Sequence, residues 1–114
     1  MRVIIAGSRG INNYDVVLAA IEESGFDVTT VVSGGARGVD TLGERYAESK
    51  NIQVDTFLPQ WDLYGKSAGY IRNSTMAENA ECLVAIWDGK SRGTKNMIET
   101  ATRKNLKVYV KRID

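Results

Sequence analysis

The sequence of 114 residues contains no histidine, one cysteine and one proline, and these shortages exclude several kinds of site. Without histidine the chain lacks the most common general base and metal ligand, so no metal site is predicted. A single cysteine cannot form an internal disulfide, which suits a reducing compartment. No apolar run approaches the roughly 20 residues of a membrane span, and the first residues read as a strand rather than a secretory signal. We therefore expect a cytoplasmic protein without membrane contact.

Net charge is nearly absent as well, because 15 lysine and arginine residues face 14 aspartate and glutamate residues. A protein that holds nucleic acid mainly through bulk positive charge needs a larger excess, so nucleic acid is not the expected partner. The hydrophobic content of 43% and the charged content of 25% are ordinary for a globular protein. The length predicts one domain over residues 1–114. Association into a homo-oligomer stays open.

Apolar runs alternate with helical patterns along the whole chain. Strands are predicted at residues 3–6, 29–32, 52–57, 82–87 and 107–111, and the helices between them end near residues 25, 50, 79 and 105. This alternation predicts an α/β protein, a Rossmann-like three-layer sandwich with a five-stranded parallel sheet. The first, second and fourth strands are almost purely apolar and belong in the centre, whereas the third and fifth carry charges and belong at the edges. The predicted strand order is therefore 3-2-1-4-5.

Glycine-rich polar turns follow the first, second and fourth strands. In that strand order, the carboxyl ends of these strands meet at the topological switch point, where ligands bind. Glycine lets a ligand approach the main chain, and the N–H groups of a helix start favour an anion. The turns therefore predict a phosphate cradle, although each turn alone is also explained by chain geometry. The predicted cradle residues are Gly7, Ser8, Arg9, Ser33, Gly34, Gly35, Ala36, Arg37, Gly38, Asp40, Asp88, Ser91, Gly93 and Thr94.

Other side chains add to this predicted site. Arg9, Arg37 and Arg72 are the candidate phosphate ligands, because a guanidinium group matches phosphate geometry. Trp61 and Tyr64 flank the start of the third helix, where they either stack on a base or pack onto the core. The chain has no P-loop motif, so a P-loop NTPase is not supported. It also lacks the G-x-G-x-x-G fingerprint of the ordinary dinucleotide-binding fold.

Taken together, these motifs resemble the SLOG superfamily over almost the whole chain, and its small stand-alone YspA/YpsA-related branch in particular. The matching residues are Gly7-Ser8-Arg9, the run 33–40, Trp61, Gly65-Lys66, Ala68-Gly69, Arg72-Asn73, Met76, Asp88, Ser91, Gly93 and Thr94. The resemblance implies a Rossmann-like fold that binds a nucleotide-type ligand, such as a nucleoside monophosphate, NAD or an ADP-ribose-like molecule. It also adds Lys66 and Asn73 to the candidate ligand contacts. A binding module, for instance a sensor, is the leading hypothesis.

The superfamily also includes the LOG phosphoribohydrolases, which release a base from a nucleoside monophosphate. Residues 72–76 match their Arg-Lys-x-x-Met motif, except that Asn73 replaces lysine. Residues 91–94 match only part of their Gly-Gly-x-Gly-Thr-x-x-Glu turn, through Gly93 and Thr94. Met97 occupies the position where that motif has its glutamate. Glu99 lies two residues further on, roughly 200° round the helix. A LOG-like hydrolase with Asp88 or Glu99 as its acid–base residue is therefore the second hypothesis, and whether the protein is an enzyme stays open.

The DprA proteins of the same superfamily bind single-stranded DNA, which is the third hypothesis. Such binding uses a basic groove with interleaved aromatic side chains. No groove of that kind is visible in the order of residues along the chain.

Overall fold

The computed structural model describes residues 1–113, in which strands and helices alternate. The strands are β1 (Arg2–Gly7), β2 (Thr30–Ser33), β3 (Gln53–Thr56), β4 (Cys82–Trp87) and β5 (Lys107–Arg112). The helices are α1 (Tyr14–Ser24), α2 (Val39–Ser49), the single-turn α3 (Trp61–Tyr64), α4 (Ala68–Glu78) and α5 (Arg92–Arg103). All neighbouring strands pair in parallel, in the order β3-β2-β1-β4-β5. The predicted fold class and strand order are confirmed.

The core lies on both faces of the central strands. In β1, Val3 and Ile5 pack on the face that carries α1 and α2, whereas Ile4 packs on the face that carries α4 and α5. Successive side chains of a strand point to opposite faces, so a strand covered on both sides must be apolar at every position. This burial is the physical reason for the uninterrupted apolar runs in the sequence.

The charged strands β3 and β5 are the two edges, as predicted. Asp55 in β3 accepts a hydrogen bond from Arg2, with 2.6 Å between Nη2 and Oδ2, and Lys111 in β5 lies 3.0 Å from Glu23. One side of an edge strand faces water, where such charges are tolerated and discourage pairing with another chain. Because these pairs are largely open to solvent, they add little to stability.

The segment between β3 and α4 contains two short helical turns, α3 and a 3-10 turn over Gly65–Ser67. The sequence patterns predicted a loop in this segment. The carbonyl of Gln60 accepts the N–H groups of Leu63 and Tyr64, at 3.0 Å each, which closes α3. No residue of α3 is buried. Sequence periodicity detects helices through a buried stripe, so a single turn without one escaped prediction.

Two of the glycine-rich turns approach each other through Gly38. Its φ is +78°, and a Cβ atom there would lie 2.5 Å from the carbonyl oxygen of Arg9. The turn after β2 therefore rests directly on the main chain of the turn after β1, an approach that a side chain would prevent.

We predict that Gly38→Ala lowers the free energy of unfolding by roughly 1–3 kcal/mol or more, because it adds backbone strain and a backbone clash. Urea denaturation followed by circular dichroism measures the change. Gly10→Ala is the matched control, since a Cβ atom at Gly10 meets nothing within 4 Å. Equal stability losses in the two variants would contradict the close approach of the turns.

Candidate functional site

A cavity of about 540 Å³ lies at the carboxyl end of the sheet, beside the neighbouring strands β1 and β4. We call it the switch cavity. The turns after β1 and β4, the start of α5 and one face of α4 form its walls. Of the predicted site residues, it is lined by Gly7, Ser8, Arg9, Ala36, Asp40, Trp61, Lys66, Arg72, Asn73, Asp88, Ser91, Gly93 and Thr94. Most of the predicted site thus comes together in one place.

A second cavity of about 490 Å³, here called the side cavity, adjoins the first. It is lined by Gly34, Gly35 and Arg37 from the turn after β2, and by Leu58 and Pro59 after β3. Four residues line both cavities, namely Arg9, Ala36, Trp61 and Arg72. Arg37, predicted as a phosphate ligand, therefore belongs to the side cavity.

The remaining predicted residues lie outside both cavities. Ser33 and Gly38 are buried and line neither, and Glu99 is exposed on α5 without lining them. Tyr64 lines a separate hollow of about 210 Å³ beside α4. The sequence reasoning missed Tyr70, which lines the switch cavity from α4. An exposed aromatic residue on an otherwise polar helix face was the available signal.

Side chains of the chain itself already occupy part of the predicted cradle after β2. The N–H of Gly35 donates to Ser33 Oγ at 3.1 Å, and the N–H of Ala36 donates to Asp40 Oδ2 at 3.2 Å. Ser33 Oγ in turn donates to Glu44 at 2.5 Å. The main chain of this turn therefore offers fewer donors to a ligand than the glycine pattern indicates.

Asp88 organises the turn after β4. Its Oδ1 accepts the N–H groups of Lys90 and Ser91 at 2.8 Å each, while its own N–H donates to Ser8 Oγ at 3.1 Å. The N–H of Ser91, followed by that of Lys90, holds the pKa of Asp88 below its ordinary value. Asp88 is therefore an ionised acceptor at neutral pH and has no proton to give to a leaving base, which argues against its predicted acid role.

The start of α5 presents donors to the switch cavity. Ser91 caps the helix by accepting the N–H of Thr94, at 3.4 Å between N and Oγ. The predicted Thr94 donor is therefore used within the helix. The N–H groups of Arg92 and Gly93 have no acceptor inside the helix, and the helix dipole favours an anion near them.

Arg72 and Asn73 hold the walls of the site together. Arg72 Nη1 donates to the carbonyls of Gly34 and Phe57, at 2.6 and 3.3 Å, and its Nε donates to Asn73 Oδ1 at 3.0 Å. Asn73 Nδ2 donates to the carbonyl of Gly93 at 3.3 Å. Asn73, predicted as a ligand contact, thus links α4 to α5. Arg72 has only part of its guanidinium group available for a ligand.

Asp40 is a buried carboxyl group in the wall of the switch cavity, with 5% of its surface exposed. Burial raises its pKa to about 6, against the opposing effects of the Ala36 N–H, Arg72 and Arg9. The sequence placed Asp40 among the predicted cradle residues, in the first turn of α2. The structure shows a titratable group between two arginine side chains.

The comparisons with known proteins agree with this architecture. A parallel sheet with a ligand-sized cavity at its switch point defines the Rossmann-like class of folds. Residues 1–64 match the YspA, cpYpsA-related SLOG family, and the chain belongs to that family, as predicted. The matched residues include the turns after β1 and β2 and the whole of α3, which carries Trp61. Helix α4 and the turn after β4 lie beyond them.

One similar protein is the Gene 61 protein of Mycobacterium phage D29, which is 31% identical over 117 residues, covering 94% of this chain and 93% of that protein. Among solved structures, DNA processing protein A (DprA) from Streptococcus pneumoniae superposes with a TM-score of 0.74 at 19% identity. This chain is covered to 96% and spans 49% of the DprA chain, so the likeness shows the fold.

Two absences among residues 1–113 concern membrane spans and metal sites. None of the helices there combines the length and apolar character that a bilayer span requires. No three histidine, cysteine, aspartate or glutamate side chains gather there in a group that could hold a metal ion.

We predict that Asp40→Asn removes a pH dependence of stability. A pKa raised from 3.8 to about 6 means that the folded state binds the Asp40 proton more tightly than the unfolded state does. The free energy of unfolding therefore falls as pH rises between these values and stays lower above them. The neutral amide avoids this loss, so the variant is expected to be more stable at neutral pH by roughly 3 kcal/mol.

Denaturation of both proteins from about pH 4 to about pH 8 measures the difference, which isolates the contribution of Asp40. Asp88→Asn is a control with the opposite sign. Because the pKa of Asp88 is lowered on folding, its contribution to stability is present at neutral pH and is lost as pH falls through that pKa. Parallel pH curves for the natural protein and Asp40→Asn would contradict the burial of this charge.

Proposed function

We propose that the switch cavity binds the phosphate-bearing part of a nucleotide or nucleotide-derived ligand. The observation that carries this proposal is the convergence of Arg9, Lys66, Arg72 and the start of α5 on one cavity with aromatic side chains in its wall. Family membership supports a nucleotide-related role. The single cysteine, Cys82, is free and buried, so the proposal places the protein in a reducing compartment, the cytoplasm.

The charges of the switch cavity favour an anion. Asp88 directs one carboxylate oxygen to main-chain N–H groups, and Asp40, whose pKa is raised to about 6 by burial, directs Oδ2 to the N–H of Ala36. The guanidinium groups of Arg9 and Arg72 and the ammonium group of Lys66 remain positively charged. A phosphate beside them receives charge-assisted hydrogen bonds, which are stronger than those between neutral groups.

Aromatic side chains supply a surface for the base. Trp61, with 53% of its surface exposed, and the exposed Tyr70 both line the switch cavity. Rings that stay exposed beside a cationic cavity can stack on a planar base. In this arrangement the phosphate lies against the turns after β1 and β4, and the base lies against α3 and α4.

We predict that nucleotides stabilise the protein and that Arg9→Gln weakens their binding by roughly 10-fold or more, because a charge-assisted hydrogen bond is lost. A thermal-shift panel of nucleoside monophosphates, NAD and ADP-ribose tests binding. A ligand at about 100 times its dissociation constant adds roughly 2.7 kcal/mol of stability. Titration calorimetry then compares the natural protein with Arg9→Gln.

Lys95→Gln is the matched control, because Lys95 is an exposed cation on α5 that does not line either cavity. It removes the same charge without touching the site. A panel without any thermal shift, or equal affinity losses in Arg9→Gln and Lys95→Gln, would contradict the proposal.

A LOG-like hydrolase is not the function that this site favours. Met97, with 1% of its surface exposed, lines the switch cavity where that family has a glutamate, and Glu99 lies outside it. Cleavage of a glycosidic bond needs a carboxylate near the ribose and a proton for the leaving base. We therefore predict no efficient release of free base from purine nucleoside monophosphates, as followed by chromatography. Turnover that disappears in Asp88→Asn or Asp40→Asn would make the protein an enzyme.

Single-stranded nucleic acid is the second candidate. In the folded chain, Arg9 and Lys66 line one cavity with the exposed rings of Trp61 and Tyr70, and Arg37 lines the adjoining cavity with Trp61. This arrangement was not visible in the sequence. The fold likeness is to a DNA processing protein, so the comparisons do not support the expectation that nucleic acid is not the partner. Binding of a labelled single-stranded oligonucleotide that weakens steeply with salt would favour this candidate over a small ligand.

A further inference from the structure

We propose that the ligand is a dinucleotide, with one nucleoside in the switch cavity and a second base in the side cavity. The inference rests on the proposed function and extends it to the class of ligand. Its starting point is the pair of adjoining cavities, of about 540 and 490 Å³, that share Arg9, Ala36, Trp61 and Arg72 as lining residues. Each cavity lies in the size range of a small-molecule site.

The shared wall fits the link between two nucleosides. Arg9 and Arg72 both line the two cavities; burial lowers the pKa of Arg72, and repulsion from Arg9 lowers it further. Two guanidinium groups at the junction match the two negative charges of a diphosphate, and bound anions relieve the repulsion between them. A single phosphodiester brings only one negative charge to these two guanidinium groups.

The side cavity fits a planar base. Leu58, Pro59 and Trp61 give it an apolar wall, and the main chain of Gly34 and Gly35 forms another. A Cβ atom at Gly35 would lie 2.5 Å from Leu58 Cδ2, so the glycine lets Leu58 pack directly on the main chain of this turn. A heteroaromatic ring can lie against these apolar groups and against the glycine main chain.

Arg37 gives the side cavity its specificity. It is exposed, it lines the side cavity, and it does not line the switch cavity. A guanidinium group stacks on aromatic rings and donates hydrogen bonds to ring acceptors. Arg37 is therefore expected to contact the second base, while Arg9 contacts the phosphates of any nucleotide that occupies the switch cavity.

The test is a ligand series measured by titration calorimetry on the full chain. AMP carries one nucleoside, ADP-ribose adds a phosphate and a sugar, and NAD and diadenosine diphosphate add a second base. We expect the dissociation constant to fall at least 10-fold between ADP-ribose and one of the two dinucleotides. Equal affinity for ADP-ribose and both dinucleotides would overturn the second-base assignment.

Two variants separate this inference from the proposed function. Arg37→Gln is expected to weaken dinucleotide binding at least 10-fold more than AMP binding, whereas Arg9→Gln weakens both. Lys95→Gln and melting curves by circular dichroism control for charge and for folding. If AMP binds while Arg37→Gln affects all ligands alike, the proposed function survives and the dinucleotide is wrong. If no member of the series binds, both fail.

A further arm tests the diphosphate link. Adenylyl-3′,5′-adenosine has two bases but a single phosphodiester, as in a nucleic acid strand. We expect it to bind at least 10-fold more weakly than diadenosine diphosphate. Equal or tighter binding would overturn the diphosphate assignment and direct attention to single-stranded nucleic acid.

Discussion

The site depends on the placement of one cation, the guanidinium group of Arg72. A charge removed from water needs acceptors around it, and Arg72 finds them in the carbonyls of Gly34 and Phe57 and in the side chain of Asn73. The contact requires glycine at position 34, because a Cβ atom there would lie 2.4 Å from Nη1. These bonds fix α4 against the ends of β2 and β3, and so they determine the shape of both cavities.

The strand order could be predicted because it follows from where water reaches the sheet. A strand that is buried on both faces has apolar residues at every position, as in 82–87. Gln53 and Lys107 instead belong to strands that have a solvent-exposed side. Once the central strands are known, the switch point between β1 and β4 follows, and with it the place where the glycine turns meet. The general location of the site was therefore contained in the hydrophobic pattern.

The partners of the polar groups could not be predicted in the same way. Asp40 has the local pattern of an ordinary first-turn carboxylate, and only the fold places Arg72, far along the chain, close enough to act on it. Trp61 belongs to a helical turn with no buried face, so no periodicity marks its position between two cavities. Contacts between residues far apart in sequence set the charge and lining of this site, and local patterns do not encode them.

Both tryptophans of the chain lie at the carboxyl end of the sheet, where the two cavities are. Trp61 is half-exposed between the cavities, whereas Trp87 donates from Nε1 to the carbonyl of Ser91 and has the guanidinium carbon of Arg112 5.1 Å from its ring centroid. Tryptophan emission therefore reports on this end of the molecule alone, with Trp61 open to solvent and Trp87 fixed beside a cation. A quencher dissolved in water should reach Trp61 far more readily than Trp87. The two tryptophans therefore give fluorescence signals that can be told apart.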